Sequence, residues 1–130
     1  MGNPELVRST ASRFREAVEQ LNAPGAVALM RDDVRLFSPV PRAPFEGRAM
    51  VALAFEFLVT IVKGHRFVSV CYGDGEAILC FEGELAGREC EWIQRIQIDD
   101  DGHIWCVTDM VRPLSAVIAL KDAAASRTEP

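Results

Sequence analysis

Residues Leu36 to Arg48, LFSPVPRAPFEGR, restrict the fold more than any other stretch of the chain. Pro39, Pro41 and Pro44 keep this segment out of a helix interior or a central strand, and Gly47 suits an abrupt change of direction before a helix. The stretch therefore reads as a stiff loop that joins a short strand to a helix at the rim of whatever the fold encloses. Together with the alternating strands downstream and the closing phrase MVRPLSAVIAL, it points to a curved sheet wrapped by helices. Such a shape is a container for a small molecule.

The elements on either side can be read from periodicity. Asn3 before Pro4 is a helix start, with asparagine as the N-cap and proline where its missing donor does no harm. Val7, Ala11, Phe14, Val18 and Leu21 then form one apolar stripe, so the first helix is expected to run to about Leu21. Asn22, Pro24 and Gly25 end it. A short helix over Gly25 to Met30 and a strand over Val34 to Ser38 follow. The helix Arg48 to Val62 is apolar on nearly every side, with Glu56 and Thr60 marking the only solvent edge, and is expected to be almost fully enclosed. From His65 the chain becomes a meander of strands separated by the turns GDG, AGR and DDDG. Pro113 opens a last helix to about Ala123, and the tail SRTEP is expected to fray.

Alternation assigns strand faces. Cys90, Trp92, Gln94, Ile96 and Ile98 share the core side, and Trp105, Val107, Asp109 and Val111 share it in the next strand. Ile93, Ile104, Cys106 and Met110 make the opposite face too apolar for water, which predicts a homodimer through the outer face of the sheet.

Composition narrows the partners. The 130 residues make one domain, 1–130, large enough to bury a single core. A net charge of -5 without a basic block argues against nucleic acid or an anionic membrane as partner. A small apolar or weakly polar ligand fits better. No apolar run reaches bilayer length, and MGNPELVRST has no leader pattern, so a cytoplasmic location is expected. Cys71, Cys80, Cys90 and Cys106 are scattered singly and two histidines stand far apart. That arrangement favours free thiols over disulfides and argues against a metal site or a cofactor.

The order of elements, and the phrases RDDVRLFSPVPRAPFEGRAMV, FEGELAGRECEWIQRIQIDDDGHI and MVRPLSAVIAL, resemble the nuclear transport factor 2-like superfamily over essentially the whole chain. Within it the phrases look like a SnoaL-like bacterial subgroup. The resemblance implies an α+β, cystatin-like cone: a curved, mainly antiparallel sheet, N-terminal helices around it, a C-terminal helix, and a pocket in between. It is specific for the fold and nearly silent on chemistry. Ketosteroid isomerase, one member, uses a carboxylate base, a tyrosine and a protonated aspartic acid. By resemblance these fall on Ser38, Phe14 and Gln94, so the base and the tyrosine are lost. Limonene epoxide hydrolase matches at Asp109, but its arginine and aspartate fall near Phe81 and Gly83, or on Glu82 and Glu84 in a shifted register. Its tyrosine and asparagine positions read Leu36 and Ser38. Neither activity is expected to carry over.

Individual residues leave alternatives open. Asp109, facing inward, is either a desolvated acid/base with a raised pKa or a carboxylate bonded to a nearby amide or arginine, and a one-residue bulge would turn it outward. Gln94 must bond either to protein or to a ligand carbonyl. Ser38 lines the mouth or makes a local turn bond. Phe14, Phe57, Phe67, Phe81, Trp92 and Trp105 are first core material and in part pocket lining. Glu82 and Glu84 are expected on the outer face, pairing with Arg95. Arg112 either anchors the last helix or reaches the pocket mouth.

The leading expectation is a ligand pocket lined by Phe14, Ser38, Phe57, Phe81, Trp92 and Trp105. Asp109 is then the acid/base and Gln94 the hydrogen-bond donor to a carbonyl, in cofactor-free cyclase, isomerase or dehydratase chemistry. The alternative is a non-catalytic carrier, sensor or dimerisation module whose cone is filled by its own aromatics. Cavity volume separates the two, since ligand sites enclose ~300 Å³ or more.

Overall fold

A computed structural model describes residues 2–127. In chain order the elements are α1 (Pro4–Glu19), α2 (Ala23–Val27), β1 (Met30–Phe37), β2 (Phe45–Glu46), α3 (Arg48–Ile61), β3 (Val62–Gly73), β4 (Glu76–Leu85), β5 (Arg88–Ile98), β6 (Ile104–Arg112) and α4 (Leu114–Arg127). The strands form one sheet in the order β2-β1-β6-β5-β4-β3. Only the β1–β6 pair is parallel. Thr128 to Pro130, most of the tail expected to fray, lie outside the described residues.

The helix α1 starts as its sequence dictates: Asn3 Oδ1 accepts from the backbone N–H of Glu5 and Leu6 at 3.0 and 3.3 Å. Val7, Thr10, Ala11, Phe14 and Ala17 form its buried stripe. Thr10 Oγ1 donates to the Gly102 carbonyl at 2.7 Å and so ties the helix to the β5–β6 turn. The arginines of α1 stack over β3, Arg8 on Tyr72 and Arg15 on Phe67, with 4.2 and 3.6 Å to the ring centroids.

Asn22 begins α2 rather than merely ending α1, because its Oδ1 accepts from Gly25 N–H at 3.0 Å. This moves the short helix forward from the expected Gly25–Met30. It also frees Met30 to Asp33 to extend β1, which Met30 pairs to β6 at Ile104. The two-residue β2 falls inside the proline loop, paired only at the sheet's edge with Arg35 and Leu36. Gly47 ends it at φ 88°, with its N–H bonded to the Val34 carbonyl at 2.8 Å, and caps α3.

Curvature comes from β3. Its ladder with β4 slips between Lys63 and Arg66 and again between Phe67 and Ser69, and such irregularities bend and twist a strand. At Gly83 the two backbones come so close that a Cβ would stand 2.7 Å from His65 Cα. The inner face is packed by aromatic pairs, Phe14 edge-on to Phe55, Phe67 edge-on to Phe81, and Phe81 stacked on Trp92 at 5.4 Å.

Three expectations are corrected. The helix α3 is not enclosed, since only Val51 and Phe55 are buried while Met50 and Leu53 are 49% and 47% exposed. The exposure of Met50 and Leu53 is toward a cavity that they line, and Glu56 and Thr60 meet water on the other side. In β6 the register to β5 slips next to the Gln97–Cys106 pair, so that Ile104 pairs with Ile98 and Trp105 has no partner. Ile104 is thereby buried on the inner side and Trp105, 38% exposed, is put on the outer side. Finally, Arg95 bonds Glu76 at 2.7 Å, while Glu82 pairs with Arg66. Arg112 reaches across to Glu91 at 2.6 Å instead of the pocket.

Candidate functional site

Between the inner face of the sheet, α1 to α3 and α4 lies a pocket of about 410 Å³. Its walls are overwhelmingly aliphatic. The last turn of α1 supplies Val18, the connection to α2 Leu21, the proline loop Val40 and Pro41, α3 Leu53 and Leu58, and α4 Leu120. Phe45, Phe55, Phe57 and Trp92 are its aromatic walls. The helix α4 contributes because it lies against β4, β5 and β6, with Ala116 and Leu120 buried.

Polar groups are few, and two of them stand together. Gln94 and Asp109 are directly opposite each other in the β5–β6 ladder, both buried and both on the pocket wall. The slip in β6 lies before Val107, so it reverses Trp105 and leaves Asp109 facing inward. Burial pushes the Asp109 carboxyl up to about 7, against a smaller opposing influence of the Gln94 amide, which favours the charged form. Among the described residues Gln94 Oε1 and Asp109 Oδ1 have no hydrogen-bond partner. Two buried oxygens without donors are costly unless something entering the pocket supplies them.

Ser38 lines the mouth and also makes its turn bond, its Oγ accepting from Val40 N–H at 3.4 Å. Phe14 and Phe81 do not reach the cavity. They are fully buried behind it, Phe14 against α3 and Phe81 between Phe67 and Trp92. Trp105 is on the opposite side of the sheet, where the β6 slip puts it. Of the residues expected at the site, the structure thus brings together Ser38, Phe57, Trp92, Gln94 and Asp109. The aliphatic wall and Arg127, at the end of α4, were not anticipated. The all-round apolar pattern of α3 was the available signal for that wall; a single arginine near the chain end carries none.

The four cysteines are free, and burial raises the thiol pKa of Cys90 and Cys106. Asp99 Oδ1 accepts from the N–H of Asp101 and His103, so the DDDG segment is a self-bonded turn. No group of acidic, histidine or cysteine side chains suited to a metal ion occurs among the described residues.

An unclosed, curved six-stranded sheet holding an apolar pocket beneath its helices defines an α+β cone of the nuclear transport factor 2-like type. Comparison with solved structures gives the same answer, and the chain has the nuclear transport factor 2-like fold. It is similar to a steroid delta-isomerase from Pseudomonas aeruginosa, with 25% identity, a TM-score of 0.86, and 94% of this chain and 90% of that one covered. It is similar also to an uncharacterized bacterial protein with a cystatin-like fold from Silicibacter pomeroyi, with 24% identity, a TM-score of 0.85, and coverage of 91% and 84%. A de novo designed protein with a curved β-sheet matches at 17% identity and a TM-score of 0.68, over 88% of this chain and 97% of that one. No family model and no curated protein sequence matches the chain.

Proposed function

We propose that this chain, as a protein of SnoaL-like type, binds a small, mainly apolar molecule and moves a proton on it with Asp109 as acid/base. The observation that carries this is the pair of unsatisfied oxygens, Gln94 Oε1 and Asp109 Oδ1, at the buried end of an open apolar pocket. A volume of about 410 Å³ is that of a ligand site rather than a cone filled by its own side chains. A carboxyl with a pKa of about 7 is present in both forms near neutrality, as general acid–base catalysis requires. Where Asp109 is ionised it can take a proton alpha to a ketone. Where it is neutral it can donate one, and a half-turn of the Gln94 amide offers Nε2 to the carbonyl oxygen on which charge develops.

The name of the Pseudomonas aeruginosa neighbour suggests steroid-sized ketones as probes. The residues here route the chemistry differently from ketosteroid isomerase, because Ser38 stands where the base would be and Phe14 is sealed in the core. Among the described residues Asp109 is the only carboxyl on the pocket wall. The proposal includes a homodimer through the outer sheet face, supported by exposed Ile93, Trp105 and Met110. It also keeps the cytoplasmic location. No helix among the described residues is long and apolar enough to cross a membrane.

The test is hydrogen–deuterium exchange alpha to the carbonyl of a saturated 3-ketosteroid in deuterated buffer, followed by NMR, with binding measured in parallel by thermal shift. Exchange above the buffer rate that is lost in Asp109→Asn while binding persists supports the proposal. Binding without exchange gives the carrier function instead. Failure of steroid-sized apolar ketones and alcohols to bind at all removes the pocket as a ligand site.

A further inference from the structure

Among the described residues only two titratable side chains line the pocket, Asp109 and Arg127, and they differ in setting. Asp109 is buried, whereas Arg127, the last described residue of α4, is exposed, so the guanidinium belongs to the mouth and the carboxyl to the floor. Arg127 lies over the Phe57 ring, 5.0 Å from its centroid, and Phe57 is itself a pocket wall. The stacking positions the cation at the rim while leaving it exposed. Elsewhere the arginines of this acidic chain are mostly consumed by carboxylates: Arg15 by Glu19, Arg31 by Asp33, Arg35 by Glu46, Arg66 by Glu82, Arg95 by Glu76. Among the described residues no carboxylate pairs with Arg127, and none but the buried Asp109 lines the cavity.

We infer that the pocket selects an apolar molecule with an anionic group at one end, bound at the mouth by Arg127, and a hydroxyl at the other, received by Gln94 and Asp109. The inference rests on the pocket being a ligand site, as proposed above. A cation with no protein partner among the described carboxylates, fixed beside an aliphatic channel, offers a carboxylate two parallel N–H donors. The two orphan oxygens on the floor take the donor of a hydroxyl. A hydroxylated apolar carboxylate satisfies both ends, whereas a plain alcohol satisfies only the floor.

Isothermal titration calorimetry with lauryl alcohol, laurate and ω-hydroxylaurate tests this on the wild-type chain and on Arg127→Gln. Because Arg127 is exposed, the anionic end is expected to improve affinity by about three- to fivefold over the alcohol. That gain should shrink as salt is raised and vanish in Arg127→Gln, which should bind the alcohol as the wild type does. Equal affinity for alcohol and ω-hydroxylaurate in the wild type overturns the inference, and so does a gain that survives Arg127→Gln. In either case the pocket still binds apolar molecules. If none of the three binds, the ligand-site proposal falls together with this one.

Discussion

Replacing Asp109 by asparagine should make the protein more stable in base and leave it almost unchanged in acid. The side chain is buried, and its pKa of about 7 in the folded protein compares with an ordinary 3.8. In the unfolded chain the carboxyl ionises as pH rises through 3.8, whereas in the fold it keeps its proton until about 7. The folded state thus binds the extra proton across that window, and stability falls with rising pH until the folded group also ionises. Above the window the loss is constant. A difference of about three units at 1.36 kcal/mol each gives a loss of about 4 kcal/mol at pH 8. The asparagine side chain of the Asp109→Asn variant has no charge to desolvate and shows no such decline. It keeps an oxygen and nearly the same volume, so packing changes little. Urea or thermal unfolding of both proteins from pH 4 to pH 8 reads the effect, and the difference between them cancels the titration of every other carboxylate. The curves should coincide near pH 4 and separate to as much as ~4 kcal/mol by pH 8, a midpoint shift on the order of 10 °C. A separation independent of pH, or an asparagine variant less stable at pH 8, would refute a carboxyl whose burial outweighs the help of Gln94.

Other substitutions probe the scaffold. Thr10→Val removes the hydroxyl that bonds the Gly102 carbonyl in a buried site, and should cost about 1–3 kcal/mol in chemical unfolding without altering ligand affinity. Gly83→Ala forces the β3 and β4 backbones apart at His65 and should destabilise by about 1–3 kcal/mol, read by thermal melts. Met110→Asp, at a site 54% exposed on the outer face, should turn a dimer into a monomer in light scattering while the pocket still binds ligand. A dimer that persists in that variant would move the interface elsewhere.

The legible parts of the sequence were those where local pattern and tertiary pairing agree. The strand β5 alternates without interruption against β4 from Glu76 to Leu85, so the inward set Cys90 to Ile98 follows from period alone. In β6 the same rule places Asp109 and Val107 rightly but fails at Trp105 and Ile104. The slip is set by how β6 fits between two neighbouring strands, and nothing in IWCVTDM announces it. Apolar composition around α3 could not distinguish a helix packed on all sides from one facing a cavity, since a packed core and an apolar cavity wall call for the same residue types. The aromatic residues divided for a related reason: Phe14 and Phe81 fill the base of the cone, while Phe57 and Trp92 border its open part. The short β2 was hidden by prolines that forbid a central strand and permit an edge one.

The chain's two tryptophans offer the most direct test of the pocket itself, because Trp92 lines it and Trp105 stands on the far side of the sheet. Apolar ketones and alcohols of steroid size, titrated into nitrogen-15-labelled protein, should shift the Trp92 indole and the Gln94 side-chain amide together and to saturation, and leave the Trp105 indole in place. Signals of Trp92 and Gln94 that stay fixed across such a panel, or a shift confined to Trp105, would contradict a ligand pocket ending at Gln94 and Asp109.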